Sequence, residues 1–516
     1  MMSQVSTAKV IPIHPIRVTE TTRSDANEAS VSLYVAHQKI HPRQVDGFFA
    51  TWRVICVWLT QAVFYGLPWL MWHSHSTTAQ GVVQQVVRQA ILFDIDARRF
   101  YIFNLVLYPQ DFIYLTGLLV ICALSLFLFT AIAGRLWCGY ACPQTVYTQI
   151  FLWIEQHIEG NRQQRQALDE KAWSLEKFVK KTTKHLLWLM VAFWTGFTFV
   201  GYFTPIHQLS VACLTANMGS WSVFWVVFYG FATYGNAGFM REQVCKYMCP
   251  YARFQSAMFD QDTLIVTYDA ARGEPRKCTG ARTGAGATVG ESATQSQGHC
   301  IDCTLCVQVC PVGIDIRQGL QYECISCGAC ADVCDTVMTK IGAPLGLIRY
   351  TTAYALQQGL TFKQQLRRVF RPRVLIYSAV LTAIVIGVFT ALVLRAPFKV
   401  DVVHDRGALS RRIADDVIEN VYRMQLMNAT EQTQTYHVQV QGFALDGTSA
   451  QWKIATPVDV VVAPTAARWV AVRVQLHAPS GALDELKAGN HPIQLVIRQL
   501  NDPAQVTEKA SFMIQH

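Results

Sequence analysis

Charge is scarce in this chain: Asp, Glu, Lys and Arg make up only 15% of its 516 residues, against 51% hydrophobic residues. That balance argues against an ordinary soluble globule and points to a membrane protein. Cysteine is missing from the whole C-terminal part. All sixteen lie at or before Cys334, so no disulfide framework is available beyond that point. No histidine pair inside an apolar stretch suggests a haem b site, which weakens a cytochrome reading. The first fifty residues lack the short basic and apolar layout of a cleaved signal peptide, so the chain is expected to enter the membrane by its own first span.

What is present begins with five uncharged apolar stretches, at 54–72, 112–134, 186–203, 221–240 and 374–394. Each is close to the roughly 20 residues that cross a bilayer core as a helix. Basic residues crowd one side of them. The connection 135–185 carries Arg135, Arg162, Arg165, Lys171, Lys177, Lys180, Lys181 and Lys184, whereas 204–220 carries none and 73–111 only Arg88, Arg98 and Arg99. Positive loops stay in the cytoplasm. The expected layout is therefore a cytoplasmic segment (1–50), a transmembrane hairpin (51–134), a cytoplasmic loop (135–185), a second hairpin (186–240), a cytoplasmic domain (241–373), a fifth span (374–394) and a periplasmic domain (395–516). The formal charge of +9 reads as a topology signal, with no call for a nucleic-acid partner.

Two copies of Cys-x2-Cys-x2-Cys-x3-Cys lie in the expected cytoplasmic domain: Cys300, Cys303, Cys306, Cys310, then Cys324, Cys327, Cys330, Cys334. This is the ligand pattern of a bacterial-type 2[4Fe-4S] ferredoxin, in which the fourth cysteine of each run crosses to the other cluster. Cys300, Cys303, Cys306 and Cys334 are expected to hold one 4Fe-4S cluster, and Cys324, Cys327, Cys330 and Cys310 the other. Pro311 follows the first run, and Asp335 stands where a second proline is common. A zinc ribbon closes with two pairs of ligands and does not use this spacing. A Gly- and Ser-rich stretch at 279–299 precedes the runs and reads as a surface loop. After the fifth span, alternation at Tyr422, Met424, Leu426; Tyr436, Val438, Val440; Val470, Val472, Val474, Leu476; and Ile493, Leu495, Ile497 predicts an all-β immunoglobulin-like sandwich.

Each of the first two hairpins ends in C-x-Y-x-C-P: Cys138, Cys142, Pro143 and Cys245, Cys249, Pro250. The repetition reads as an internal duplication that delivers two thiol pairs to one membrane face. Cysteines at i and i+4 share a helix face. Each proline favours a new helix whose positive N-terminus would support thiolate at Cys142 and Cys249. Paired thiolates in a reducing compartment suit Cu(I), zinc or an iron–sulfur centre; the bland reading is reduced cysteines packed as small hydrophobes. Cys56, Cys122 and Cys213 lack such spacing and read as packing residues.

The runs RRFYIFNLVLYPQDFIYLTGLL, GRLWCGYACPQTVYTQIFLWIE, YDAARGEPR and CIDCTLCVQVCPVGIDIRQGLQYECISCGACADVCDTVMTKIGAPLGLIRY closely resemble the CcoG/RdxA/FixG family, accessory proteins of cbb3-type cytochrome c oxidase. The resemblance implies a role in copper handling during oxidase assembly, with reduction of Cu(II) to Cu(I). It casts Cys138, Cys142, Cys245 and Cys249 as copper-interacting or electron-accepting thiolates. It also implies an inner-membrane location, a cytoplasmic electron donor, oxidase subunits or their copper chaperones as partners, and a homodimer. Two other readings remain at this point. One is an electron-transfer subunit resembling the quinol dehydrogenase NapH; the other is a non-catalytic assembly scaffold whose clusters sense redox state.

Overall fold

The computed structural model describes residues 39–77, 83–276, 298–405, 407, 410–414, 416–430, 432–442, 451–478, 488–500 and 502–515. The stretch 279–299, expected to be a surface loop, therefore falls almost wholly outside the described residues, and Cys278, expected as a free thiol at its edge, and residues 1–38 fall outside them entirely. Met1–Ile40 forms one unit and His41–His516 a second, which carries every helix and strand among the described residues.

The first apolar run folds as α1 (Phe48–Gly66), which tightens into a 3-10 turn through Pro68 to Trp69. Five short strands come next where no alternation predicted any: the hairpin of β1 (Met71–Thr77) and β2 (Val83–Gln89), then the meander of β3 (Ile91–Asp94), β4 (Arg99–Ile102) and β5 (Leu105–Leu107). After them come α2 (Phe112–Ala133), α3 (Leu136–Tyr140), α4 (Pro143–Glu159), α5 (Arg162–Glu170), α6 (Leu175–Val200), α7 (Ile206–Leu214) and α8 (Ser220–Gly238). Helix α5 starts on a capping box in which Asn161 and Gln164 exchange hydrogen bonds. Helix α9 (Pro250–Met258) closes the second repeat. Strands β6 (Leu264–Tyr268) and β7 (Ile348–Thr352) pair antiparallel and bracket the eight-cysteine segment, which includes α10 (Ala329–Ile341). Helix α11 (Pro372–Val393) leads to the C-terminal strands.

All five expected apolar stretches are helical, but three, not five, are long and apolar enough to cross a membrane: Phe48–Trp69, Phe112–Ala133 and Pro372–Val393. Helix α6 opens with Lys177, Lys180, Lys181 and Lys184, and α8 interleaves its aromatics with Gly230, Thr233, Tyr234, Gly235 and Asn236, which dilutes the hydropathy of both. These two pack closely on each other. A Cβ on Gly196 of α6 would lie 2.3 Å from the Val226 carbonyl oxygen of α8. Small residues at such crossings let two backbones touch.

The helices have two ends. At one, the Tyr202 hydroxyl after α6 donates to Phe64 O (2.8 Å), and Gln89 donates to Gly201 O (2.7 Å) while accepting from Ile206 N (3.0 Å). At that end, too, Arg395 bridges Asp111 (2.7 Å), tying the start of α2 to the exit of α11. At the opposite end lie α3, α4 and the cysteine segment.

The C-terminal domain has β8 (Phe398–His404), β9 (Arg411–Ala414), β10 (Val417–Asn428), β11 (Gln434–Gln441), β12 (Gln451–Ile454), β13 (Asp459–Val462), β14 (Ala467–His477), β15 (Gly489–Gln499) and β16 (Gln505–Ile514). One sheet runs β12-β14-β10-β8 with β9 also on β10; the other runs β13-β11-β15-β16. Tyr422, Met424, Leu426, Tyr436, Val438, Val472, Val474, Leu476, Ile493, Leu495 and Ile497 all face the shared core, as a period of two requires. The Tyr108 hydroxyl, just ahead of α2, donates to Asn428 O (2.8 Å) and Thr465 O (3.1 Å), which docks the sandwich on the strand-bearing end.

Candidate redox site

The two four-cysteine runs fold with the same backbone. Asp302 and Ser326, which precede Cys303 and Cys327, have φ of 51° and 50°; Thr304 and Gly328, which follow them, have φ of 56° and 75°. Left-handed turns on both sides of the middle cysteine curl the chain so that neighbouring thiols face one centre. The fourth cysteine of each run is carried away, Cys310 by the turn before Pro311 and Cys334 by α10. The result is two small cysteine-lined cavities. Cys310, Cys324, Cys327 and Cys330 line the first, and Cys300, Cys303, Cys306 and Cys334 the second; Cys306 also borders the first. The crossed grouping expected from spacing is thus present in space. Four thiols around one shared space are what a cubane requires. Among the described residues, no group of three or more His, Cys, Asp or Glu side chains is placed to hold a single metal ion.

The C-x3-C-P motifs depart from one expectation. Cys138 lies in α3, but Cys142 is extended (φ −62°, ψ 129°) and caps α4. Cys245 lies in a π-helical turn, Val244–Met248, and Cys249 is extended and caps α9. Neither pair shares a continuous helix face, because the residue before proline is driven out of the helical region. All four thiols are nonetheless neighbours, close enough to oppose one another's ionisation. Burial pushes the Cys138 thiol up to about 12 and Cys245 to about 11. At Cys142 burial also raises the thiol, outweighing the amide donors of Gln144 and Thr145 at the start of α4. The thiolate expected there from the helix N-terminus is therefore not favoured without a bound cation. Cys138 Sγ donates instead to Gln255 Oε1 (3.3 Å).

The two repeats exchange their trailing helices. After the first motif, Gln144 of α4 donates to Asn236 O (2.9 Å) and Arg241 O (3.0 Å) at the end of the second hairpin. After the second, Tyr251 and Gln255 of α9 bond Thr130 of α2 in the first (2.7 and 3.2 Å). This exchange brings the motifs together. Beneath α4 a buried ion cluster supports the arrangement: Glu155 meets Arg241 (2.8 Å) and Arg165 (3.6 Å), and Glu159 meets Lys184 (2.8 Å) and Lys181 (2.9 Å).

The first motif also abuts the cysteine domain. A Cβ on Gly139 would lie 2.7 Å from Ile325 O, 2.9 Å from Ser326 O and 3.0 Å from Cys327 Cα. Only glycine permits that approach. Tyr140 donates to Cys327 O (3.3 Å) and Tyr350 to Ser326 O (2.5 Å), so the loop bearing Cys324 and Cys327 rests on the motif bearing Cys138. Asp332 of α10 accepts from the amides of Phe49 (3.1 Å) and Ala50 (2.7 Å) at the start of α1. Gly139, Asp332 and Tyr350 escaped the sequence reading. The one available signal was that the repeat has Gly139 where its second copy has Lys246, a hint of crowding on one side only. Cys213 packs beside the Phe197 and Ile206 cluster, whereas Cys122 is exposed on α2, contrary to the packing role expected for it.

Apolar helices, two cysteine-lined cavities and a thiol-bearing repeat in contact with one of them define a membrane-associated iron–sulfur electron-transfer protein. Residues 240–353 match the family described as 4Fe-4S dicluster domain, residues 115–160 a 4Fe-4S binding domain, and residues 388–515 the IG-like fold at the C-terminal of FixG. The chain is 40% identical to protein RdxB of Cereibacter sphaeroides over 83% of its own length and 87% of the relative's. It is 36% identical to the nitrogen fixation protein FixG of Rhizobium meliloti over 80% of each chain, and 37% identical to protein RdxA of Cereibacter sphaeroides over 88% and 92%. It belongs to the FixG/RdxA family.

Proposed function

We propose that this protein moves single electrons from a cytoplasmic donor, through two 4Fe-4S clusters, to copper at the membrane thiols, reducing Cu(II) to Cu(I) for cbb3-type oxidase assembly. In this reading Cys300, Cys303, Cys306 and Cys334 hold one cluster and Cys310, Cys324, Cys327 and Cys330 the other. Bound there, the clusters supply one-electron donation. The carrying observation is the contact of Gly139 with Ile325–Cys327, which sets the Cys138 motif against one cavity. Soft sulfur donors favour Cu(I) over Cu(II), so Cys138, Cys142, Cys245 and Cys249 would draw copper toward the reduced state. Each turnover balances simply: one electron enters, one Cu(II) becomes Cu(I), and thiol protons leave as the metal binds.

The proposal includes five spans, with α6 and α8 as a second hairpin, the cysteine domain in the cytoplasm and the sandwich in the periplasm. The basic loop 135–185 supports that orientation. Oxidase subunits or copper chaperones are the proposed partners of the sandwich, and a homodimer is the proposed assembly. The test is anaerobic Cu(II) reduction by dithionite-reduced protein in nanodiscs, read with a Cu(I)-specific chromophore. Replacing Cys245 and Cys249 by Ser should abolish reduction and copper binding; unchanged values would sink the copper reading. Normal oxidase assembly by a variant lacking all eight ferredoxin cysteines would favour a scaffold instead.

A cleft favours one second reading. Arg53 and Val54 of α1, with Gln149, Leu152 and Trp153 of α4, line a space that reaches Val309 and Pro311, on either side of Cys310. A quinol bound there would deliver its two electrons beside a cluster cavity. Menaquinol oxidation that is lost on changing Arg53 and Trp153 but survives loss of Cys245 and Cys249 would select this reading.

A further inference from the structure

Arg135 is 2% exposed, the largest of the fully buried side chains among the described residues. One of its donors, Nη1, bonds the Tyr322 carbonyl, two residues ahead of Cys324. The other two groups, Nε and Nη2, are buried with no acceptor. Leaving such donors bare is costly, the more so for a charged group, so an anionic acceptor is expected beside them. Arg135 is the N-cap of α3, three residues before Cys138, and its bond to the Tyr322 carbonyl sets the guanidinium beside the start of the Cys324 run as well. It ties the motif bearing Cys138 to the loop that leads into Cys324. Two carboxylates offset its charge in part: Glu323, partly exposed beside Cys324, and Asp332, buried two residues after Cys330 and bonded to the amides of Phe49 and Ala50.

At the other cavity the nearby arginine is directly ion-paired: Arg317 is neutralised by Asp315 (2.7 Å) and Asp302. Asp335 follows Cys334 and adds negative charge there. Cluster potentials respond to local charge and to hydrogen bonds on the sulfurs, and a positive neighbour stabilises the more negative, reduced state.

We infer that Arg135 is a positioning residue for electron transfer: its buried guanidinium raises the potential of the cluster held by Cys310, Cys324, Cys327 and Cys330 above that of the other, making it the terminal cluster that faces the membrane thiols. The inference rests on the two-cluster reading above. Electrons then run downhill from the Cys300 cluster to the Cys324 cluster, one at a time, with no bond made or broken.

The test is EPR-monitored potentiometric titration of the full chain in nanodiscs, with iron and sulfide analysis alongside. Cys324→Ser and Cys300→Ser identify which signal belongs to which cluster. In the wild type, the signal altered by Cys324→Ser should have the higher potential; coincident potentials or the reverse order would overturn the inference without any arginine variant. Arg135→Gln should lower that cluster's reduced-to-oxidised ratio at fixed potential at least tenfold, which is 59 mV for one electron, and leave the other unmoved. Arg135→Lys, which retains the charge, should restore most of the difference. Equal movement of both signals, or of neither, with both clusters present would also overturn it. Fewer than two clusters in the wild type would instead sink the reading beneath it.

Discussion

Replacing Asp332 by alanine should loosen the cysteine domain from the foot of α1. The N-cap of that helix is Gly47, which has no side chain to satisfy the first amides. A carboxylate 283 residues away does so instead, with Oδ1 on Phe49 N at 3.1 Å and Oδ2 on Ala50 N at 2.7 Å. Asp332 is 7% exposed, so water cannot readily replace it. Loss of a cap costs about 0.5–2 kcal/mol, and an anion at a partly buried helix N-terminus adds about 0.3–1 kcal/mol or more. The alanine variant should therefore lose about 2–3 kcal/mol locally, and Asp332→Asn, which keeps one acceptor but no charge, about 1 kcal/mol. Hydrogen exchange of 47–52 in nanodiscs reads this directly. Exchange should speed roughly 30- to 150-fold in the alanine variant and severalfold in the asparagine variant. Protection within about threefold of wild type for Asp332→Ala would refute the claim that this carboxylate caps the helix.

The same geometry sets further expectations. Glu155→Gln should cost about 3–5 kcal/mol of thermal stability, because Arg241, Lys184 and Arg165 would lose a buried partner. Burial pushes the Glu155 carboxyl up, but those three cations together hold it below its ordinary 4.5. A depressed folded value means stability that is present above that pH and lost as pH falls through it, so wild type should weaken below about pH 4.5 in a step that Glu155→Gln lacks. Gly196→Val should lower the melting temperature, since its new Cβ meets backbone at 2.3 Å and overpacking costs about 1–3 kcal/mol; Gly235→Ala, with nothing within 4 Å, should not. Gly139→Ala should slow oxidation of reduced clusters by Cu(II) while leaving iron content intact; an unchanged rate would mean the motif contact is not on the electron path. Cys303→Ser and Cys327→Ser should each remove one cluster and spare the other, and loss of both from either variant would contradict two separate cavities.

Much of the architecture was legible because it repeats. The cysteine spacing recurs, and left-handed turns recur with it at Asp302, Thr304, Ser326 and Gly328. The sandwich was legible because period-two alternation puts Tyr422, Met424 and Leu426 on one face whatever they pack against. Strands β1 to β5 were not, being three to seven residues long and held by backbone pairing that carries no side-chain period. Helices α6 and α8 read as apolar runs, yet their lysines, glycines and tyrosines make them a closely packed pair with less hydropathy than α1, α2 or α11.

The sequence by itself determined which thiols belong together, because ligand spacing is a local property of a few turns, and it marked the C-x3-C-P repeat by the same rule. Only the tertiary structure decided what those thiols face. The exchange of α4 and α9 between hairpins, the Gly139 contact and the Asp332 cap join segments far apart in the chain. No local pattern encodes such contacts; they arise where two backbones must come close or a buried charge must find its partner. Arg135 shows the difference most plainly: one of many basic residues beyond an apolar run in sequence, it becomes in the fold a buried cation that joins the Cys138 motif to the loop ahead of Cys324.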